Sequence, residues 1–328
     1  MENETDNSTH QLDDSVWLIT LRFVVIGVGI VLNTVVTGVF LYIRMYKKSL
    51  VHGLIVQQSF LDLFGCCTFL FFYNQDAPDG EIGTVFCKGR MLFWFFAVTS
   101  TYNLVVITIE RYLSIMYPFK FKDKPILIVC IIYITPHVIG ALIVFHLAIL
   151  ADINEDKSGE CLYNYPNNKV RFASGICIFL TLFFIPTCIM ICCKGRAIWE
   201  IRSSDNWRQS HSTSDASMYK NLAYTMCFVV IVFICTSSPN FTLYLVYIIC
   251  QCFEFSTIVE HEITVLLYTS NMCINPIVYG AKMKDFRRGL DKIRCKLRGL
   301  LRRDVGGRSH NVSVTSHSSN GIVNNSYV

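Results

Sequence analysis

The sequence predicts an all-α protein: a bundle of seven membrane-crossing helices, with an amphipathic eighth helix on the inner membrane face. Three observations carry that reading. Of 328 residues, 52% are hydrophobic and 16% charged, with a mean hydropathy of +0.43, whereas a water-soluble domain carries about a quarter Asp, Glu, Lys and Arg. Seven apolar stretches reach the roughly 20 helical residues that a hydrocarbon core of about 30 Å requires. The loops between them alternate in charge.

The spans run from Val16 to Tyr42, Val51 to Tyr73, Met91 to Met116, Ile126 to Leu150, Phe172 to Cys193, Leu222 to Cys250 and Ile263 to Tyr279. Ahead of the first stand Glu2, Glu4, Asp6, Asp13 and Asp14 with no lysine or arginine; behind it come Arg44, Lys47 and Lys48. Lys and Arg stay on the cytoplasmic side, so the amino terminus is expected outside the plasma membrane and the carboxyl terminus in the cytosol. No basic start and apolar core precede residue 16, and the first span is therefore expected to do the targeting.

The other loops agree. Lys120, Lys122 and Lys124 follow the third span, and Lys194, Arg196, Arg202 and Arg208 follow the fifth. The opposite side carries Asp76, Asp79 and Glu81, then Asp152, Glu155, Asp156 and Glu160, then Glu254, Glu260 and Glu262. The implied organisation is a glycosylated extracellular segment 1–15, with sequons at Asn3 and Asn7, the crossings within 16–282, the amphipathic helix 283–303 and a disordered cytoplasmic tail 304–328. The basic stretch from Lys282 to Arg308 adjoins apolar spans, so its expected partner is the lipid bilayer and not nucleic acid.

Most of the 15 cysteines fall inside spans, where a thiol acts as a small apolar residue. Cys87 and Cys161 lie on the outer side, where oxidation is permitted, and are expected to bridge. Cys250 and Cys252, two apart, are poorly placed to pair with each other. No cysteine pair shows zinc spacing.

Polar residues inside spans need a reason, because a charge at the bilayer centre costs roughly 2.5 to 3.5 kcal/mol on insertion scales. Asn33, Asp62, Ser100, Asn271 and Asn275 are such residues. Together with Glu110-Arg111-Tyr112 at the inner end of the third span and Asn275-Pro276-Ile277-Val278-Tyr279 in the seventh, they resemble the rhodopsin-like family of G-protein-coupled receptors. The resemblance covers residues 16 to about 300, with the motifs in the family's order and on the right spans. It departs from the family at Glu110, usually an aspartate, at Ser237, where a tryptophan usually precedes the proline of the sixth span, and at Lys194, usually a tyrosine. The fourth span has Tyr133 and no tryptophan, and Tyr219 and Lys220 stand where a partner acid for Arg111 is usual.

The resemblance implies a receptor that is not itself an enzyme and that converts extracellular ligand binding into activation of a heterotrimeric G protein. Arg111, Tyr112, Phe233, Pro239, Pro276 and Tyr279 would take part in coupling and switching, with Glu110 the resting partner of Arg111. Missing the second acid, the resting state is expected to be loosely held, giving basal signalling. Asp62, Ser100, Asn271 and Asn275 would form a sodium pocket, an allosteric ion being the only cofactor expected; the competing reading is a hydrogen-bonded polar core with no ion.

The third span offers Phe93, Trp94 and Ala97 where amine receptors carry an aspartate, and the seventh lacks the Schiff-base lysine of opsins. What remains is an aromatic cavity of Phe93, Trp94, Phe241 and Tyr244 with Asn240, under an acidic rim that includes Glu260 and Glu262. A peptide with basic groups, as in a neuropeptide receptor, suits that rim; the alternatives are a lipid or other small non-amine ligand, or plain interhelical packing of the aromatics.

Beyond the seventh span, Phe286, Leu290, Ile293, Leu297 and Leu301 recur at helical spacing among Lys and Arg, with Cys295 a candidate for palmitoylation. Ser309, Ser313, Thr315, Ser316, Ser318 and Ser319 offer phosphorylation sites for arrestin recruitment, and Ser326-Tyr327-Val328 fits a PDZ ligand. The rival class, a seven-helix transporter or ion pathway, should show several buried charges along a route or an internal repeat.

Overall fold

A computed structural model describes residues 2–117, 125–154, 159–203, 213–250 and 259–308; within these, the side chains of 2–15, 213–226, 279, 300–308 and a few neighbouring positions lie outside the description. The sequons at Asn3 and Asn7, the side chain of Tyr279, Tyr219 and Lys220, the serines from 309 onward and the terminal tripeptide therefore fall outside the described set.

The chain is a helical bundle in the order α1 (Glu2–Tyr42), α2 (Leu50–Phe72), α3 (Glu81–Met116), α4 (Ile126–Leu150), a hairpin of β1 (Ala151–Ile153) and β2 (Cys161–Tyr163), then α5 (Asn168–Phe179) and α6 (Ile185–Ser203), α7 (Thr213–Cys250), α8 (Val259–Lys282) and α9 (Lys284–Arg308). Helices α5 and α6 form one crossing joined by a π-helical turn, Leu180–Phe184. Pro186 has no N–H to return to the Thr181 carbonyl five residues earlier, and the Tyr102 hydroxyl donates to that oxygen at 2.8 Å. The helical spans match the apolar stretches, because hydrophobic length is a local property of the chain.

Six helices among the described residues are long and apolar enough to cross a membrane. The seventh crossing, α8, falls short because it carries Glu260 and Glu262 in its first turn and polar Thr269, Asn271 and Asn275 further along, all three buried. Packed against α1, α2 and α7, it does not need to be apolar on every side. Large apolar side chains elsewhere point outward, as in α4, where Ile126 is 82% and Leu142 70% exposed, while Asn33, Gln58, Asp62 and Asn103 are fully buried. Exposed apolar and buried polar residues are the reverse of a water-soluble core and suit a lipid surround.

Helix α3 begins at Glu81, earlier than the apolar stretch alone suggests. Gly80 caps it at φ 71°, and at Gly83 any Cβ would fall on the Pro78 carbonyl. This extra length holds Cys87, whose disulfide to Cys161 (Cα–Cα 5.6 Å) ties α3 to β2 as expected. Cys250 is disulfide-bonded too. The amphipathic helix α9 reaches Arg308, beyond the expected end at 303. Its Phe286 packs edge-on against Phe40 of α1 at 5.5 Å, and Cys295 is exposed.

Candidate functional site

Two polar regions lie along the bundle. At the hairpin end is a cavity of about 1030 Å³ among α1, α2, α3, the hairpin, α5, α7 and α8. Trp94, Asn240, Phe241, Tyr244 and Glu262 line it. Tyr268 of α8 supports this wall, stacked on Trp94 at 5.8 Å and edge-on to Phe241 at 5.3 Å. Phe93 and Ala97 do not line it. Phe93 is fully buried against Phe69 and Tyr73, because one helical residue turns it by about 100° from Trp94, and Ala97, nearly a turn beyond Trp94, is 1% exposed in the core.

The rim is not the free acidic surface the sequence suggested. Arg22 of α1 reaches Glu262 of α8 at 2.6 Å and donates a second bond to the Tyr73 carbonyl at 3.0 Å. Arg90 of α3 donates to the Phe72 carbonyl at 3.1 Å and lies 4.9 Å from the Tyr73 ring. Both guanidinium groups thus satisfy carbonyls left over at the end of α2, where cations are favoured. On the far wall Arg171 of α5 lies 5.8 Å from the Tyr247 ring, beside the Tyr165–Tyr244 hydroxyl pair at 3.1 Å. Burial pushes the Tyr165 phenol, in the loop after β2, above its ordinary pKa. Sequence reasoning missed all three arginines; Arg22, a lone charge inside an apolar span, was the legible one.

The second region lies deeper, around Asp62 of α2. Ser100 donates to Oδ1 at 2.6 Å, Gln58 Nε2 to the same oxygen at 2.9 Å, and Asn275 Nδ2 to Oδ2 at 2.9 Å. Gln58, one helical turn before Asp62 and so on the same face, also donates to Ser100 Oγ at 2.5 Å. Its amide orientation is set from behind. Asn103 Nδ2 donates to the Leu54 carbonyl at 3.0 Å and to Gln58 Oε1 at 2.8 Å, which leaves the Gln58 nitrogen facing Asp62. Asn33 of α1 bonds the Gly29 and Met272 carbonyls. Asn271 is buried, with no hydrogen-bond partner at Oδ1.

A cation in this cluster needs several oxygens turned toward one point. The Gln58 nitrogen instead sits against both Asp62 and Ser100, Ser100 turns its proton to Asp62, and Asn275 presents nitrogen. So arranged, both Asp62 oxygens are taken by protein donors, while the Asn271 amide oxygen is left without a partner. No group of three or more His, Cys, Asp or Glu suited to a metal occurs among the described residues.

At the opposite end, Ser114 donates to Glu110 Oε1 at 3.1 Å, and Tyr112 packs near Ile115, Ala197 and Ile201. Lys194 of α6, 6% exposed, lies within electrostatic reach of Glu110 and Arg111. Phe233, fully buried, packs among Leu104, Met190, Val230 and Val278. Pro239 and Pro276 stand inside α7 and α8.

The profile of the 7 transmembrane receptor (rhodopsin family) matches residues 13–279. The chain is 24% identical to rat somatostatin receptor type 4 over 217 residues, 64% of this chain and 54% of that receptor. It is 24% identical to mouse probable G-protein coupled receptor 174 over 313 residues, covering 88% and 89%. With human free fatty acid receptor 3 it shares 22% over 316 residues, covering 90% and 83%. The chain spans about half the length of the first of these relatives and most of the other two. With the profile covering all but the ends of the bundle, the chain belongs to the rhodopsin family of seven-transmembrane receptors.

Proposed function

We propose that the chain is a plasma-membrane receptor that binds an extracellular ligand in the hairpin-end cavity and activates a heterotrimeric G protein through the Arg111 end. The observation that carries this reading is the placement of both sites on one helix: α3 brings Trp94 to the cavity and Glu110-Arg111 to the opposite mouth. Acidic loops on the hairpin side and basic loops on the other support an outward-facing hairpin and amino terminus. The π turn and the interior prolines are weak points about which a bundle with two packings can move.

A peptide suits the cavity best. Asn74, Gln75, Asn154 and Asn240 on its wall can bond amide groups, whereas an acyl chain asks for an apolar tunnel. The relatives point both ways, one named for somatostatin and one for fatty acids, so a lipid ligand is the second reading. Arrestin recruitment by the tail, palmitoylation of Cys295 and a PDZ partner belong to the same proposal.

The test is GDP release from a panel of Gα subunits by the purified full chain in lipid discs, with and without peptide pools. Lys194 adds a second cation beside Glu110, in competition with Arg111 for the one carboxylate, so basal release above the Arg111→Gln level is expected. No acceleration from any Gα under any addition overturns the reading.

A further inference from the structure

Three arginines line the cavity, and they differ in how much of each guanidinium is already used. Arg22 has Glu262 and a carbonyl, and Arg90 has a carbonyl and an aromatic face; of their buried nitrogens, Nε alone lacks a hydrogen-bond partner in each. Arg171 is different. Its Nε and Nη2 are both buried and both lack a hydrogen-bond partner. Those two nitrogens share one edge of the planar guanidinium, the edge whose parallel N–H groups match the two oxygens of a carboxylate. Two buried donors idle on one guanidinium edge are costly unless a ligand completes them.

The other charges on the wall do not fill that role. Glu262 is held by Arg22. Asp76 is exposed at the rim, and Glu160 on the hairpin has a contact of its own. His261 stands near Arg22 and Arg90 on the opposite side. The tyrosines around Arg171 (Tyr165, Tyr244 and Tyr247) make an amphipathic surround with hydroxyls and ring faces, and two of those hydroxyls already bond each other. We propose that the ligand carries a carboxylate and that the Nε–Nη2 edge of Arg171, covered in the unliganded packing, opens at the cavity wall to receive it bidentately. This rests on the reading of the cavity as the ligand site and reverses the charge first expected of the ligand: anionic at this end, not basic.

A carboxylate can come from a free peptide carboxyl terminus or from a fatty acid, and the experiment separates them. Thermal unfolding of the purified full chain is followed with a random peptide pool lacking Asp and Glu, with the same pool amidated at the carboxyl terminus, and with fatty acids of graded length. A free-acid pool or a fatty acid is expected to raise the midpoint; the amidated pool is not. Arg171→Gln should weaken the effective probe on the order of a hundredfold, and Arg171→Lys, which keeps charge but not the fork, on the order of tenfold. Equal stabilisation by both pools, no stabilisation by any probe, or wild-type binding in Arg171→Gln overturns the proposal. Binding without GDP release sinks the coupling reading alone, so the two failures are distinguishable.

Discussion

The hairpin-end cavity and the cluster around Asp62 are both rich in polar side chains, and they differ in what they leave unpaired. In the cavity the remainder is mostly donors, Nε of Arg22, Arg90 and Arg171 and Nη2 of Arg171, beside one acceptor, Asn74 Oδ1. In the cluster the donors of Gln58, Ser100 and Asn275 all end on Asp62, and the amide remainder is acceptors, at Asn33, Asn103 and Asn271. A region whose donors are engaged is part of what holds the helices together. One that keeps buried donors idle is shaped for something that arrives later.

The largest effect expected from this contrast is in stability. Asp62→Ala strands three donors at once and should cost about 3 kcal/mol or more, while Arg171→Gln removes no internal hydrogen bond from its Nε–Nη2 edge and should stay within about 1 kcal/mol of wild type. Unfolding of the two purified variants side by side measures both, and equal losses would erase the distinction.

A sharper, smaller effect concerns Gln58. Because its amide nitrogen occupies the oxygens an ion would need, the unfolding midpoint of the wild type should not change when sodium replaces a large organic cation at constant ionic strength. Gln58→Leu removes that nitrogen and should gain sodium-dependent stabilisation, growing as the logarithm of concentration above the dissociation constant. A sodium response in the wild type, or none in Gln58→Leu, would show that the amide is not what governs the site.

The smallest effect lies on the hairpin. Thr84 donates to Asp152 at 2.6 Å and the Ile153 N–H at 2.9 Å, and these bonds hold the Asp152 carboxyl below the usual carboxylate range. A folded pKa below the unfolded one stabilises above the unfolded value and is lost as pH falls through the folded value. Below the ordinary aspartate value of about 3.9, the wild type should therefore lose stability more steeply than Asp152→Asn. Parallel acid titrations of the midpoint would contradict this.

Much of the fold was legible along the chain. Ile126–Leu150 agrees with its apolar stretch at both ends, and Cys87 with Cys161 followed from their both standing among the acidic loops. Trp94, Asn240, Phe241 and Tyr244 line the cavity and Phe93 does not, since neighbouring residues on a helix face different ways and sequence gives no absolute rotation. Gln58 escaped notice because its importance lies in Ser100 and Asn103, more than forty positions away. Hydrophobic length and motif order are properties of neighbouring residues, so the apolar helices and the rhodopsin-family bundle they build could be read along the chain alone. Which arginine keeps an idle edge and which amide fills an ion's place depend on directional bonds between helices, set by distances of a few ångströms that only the packed bundle fixes.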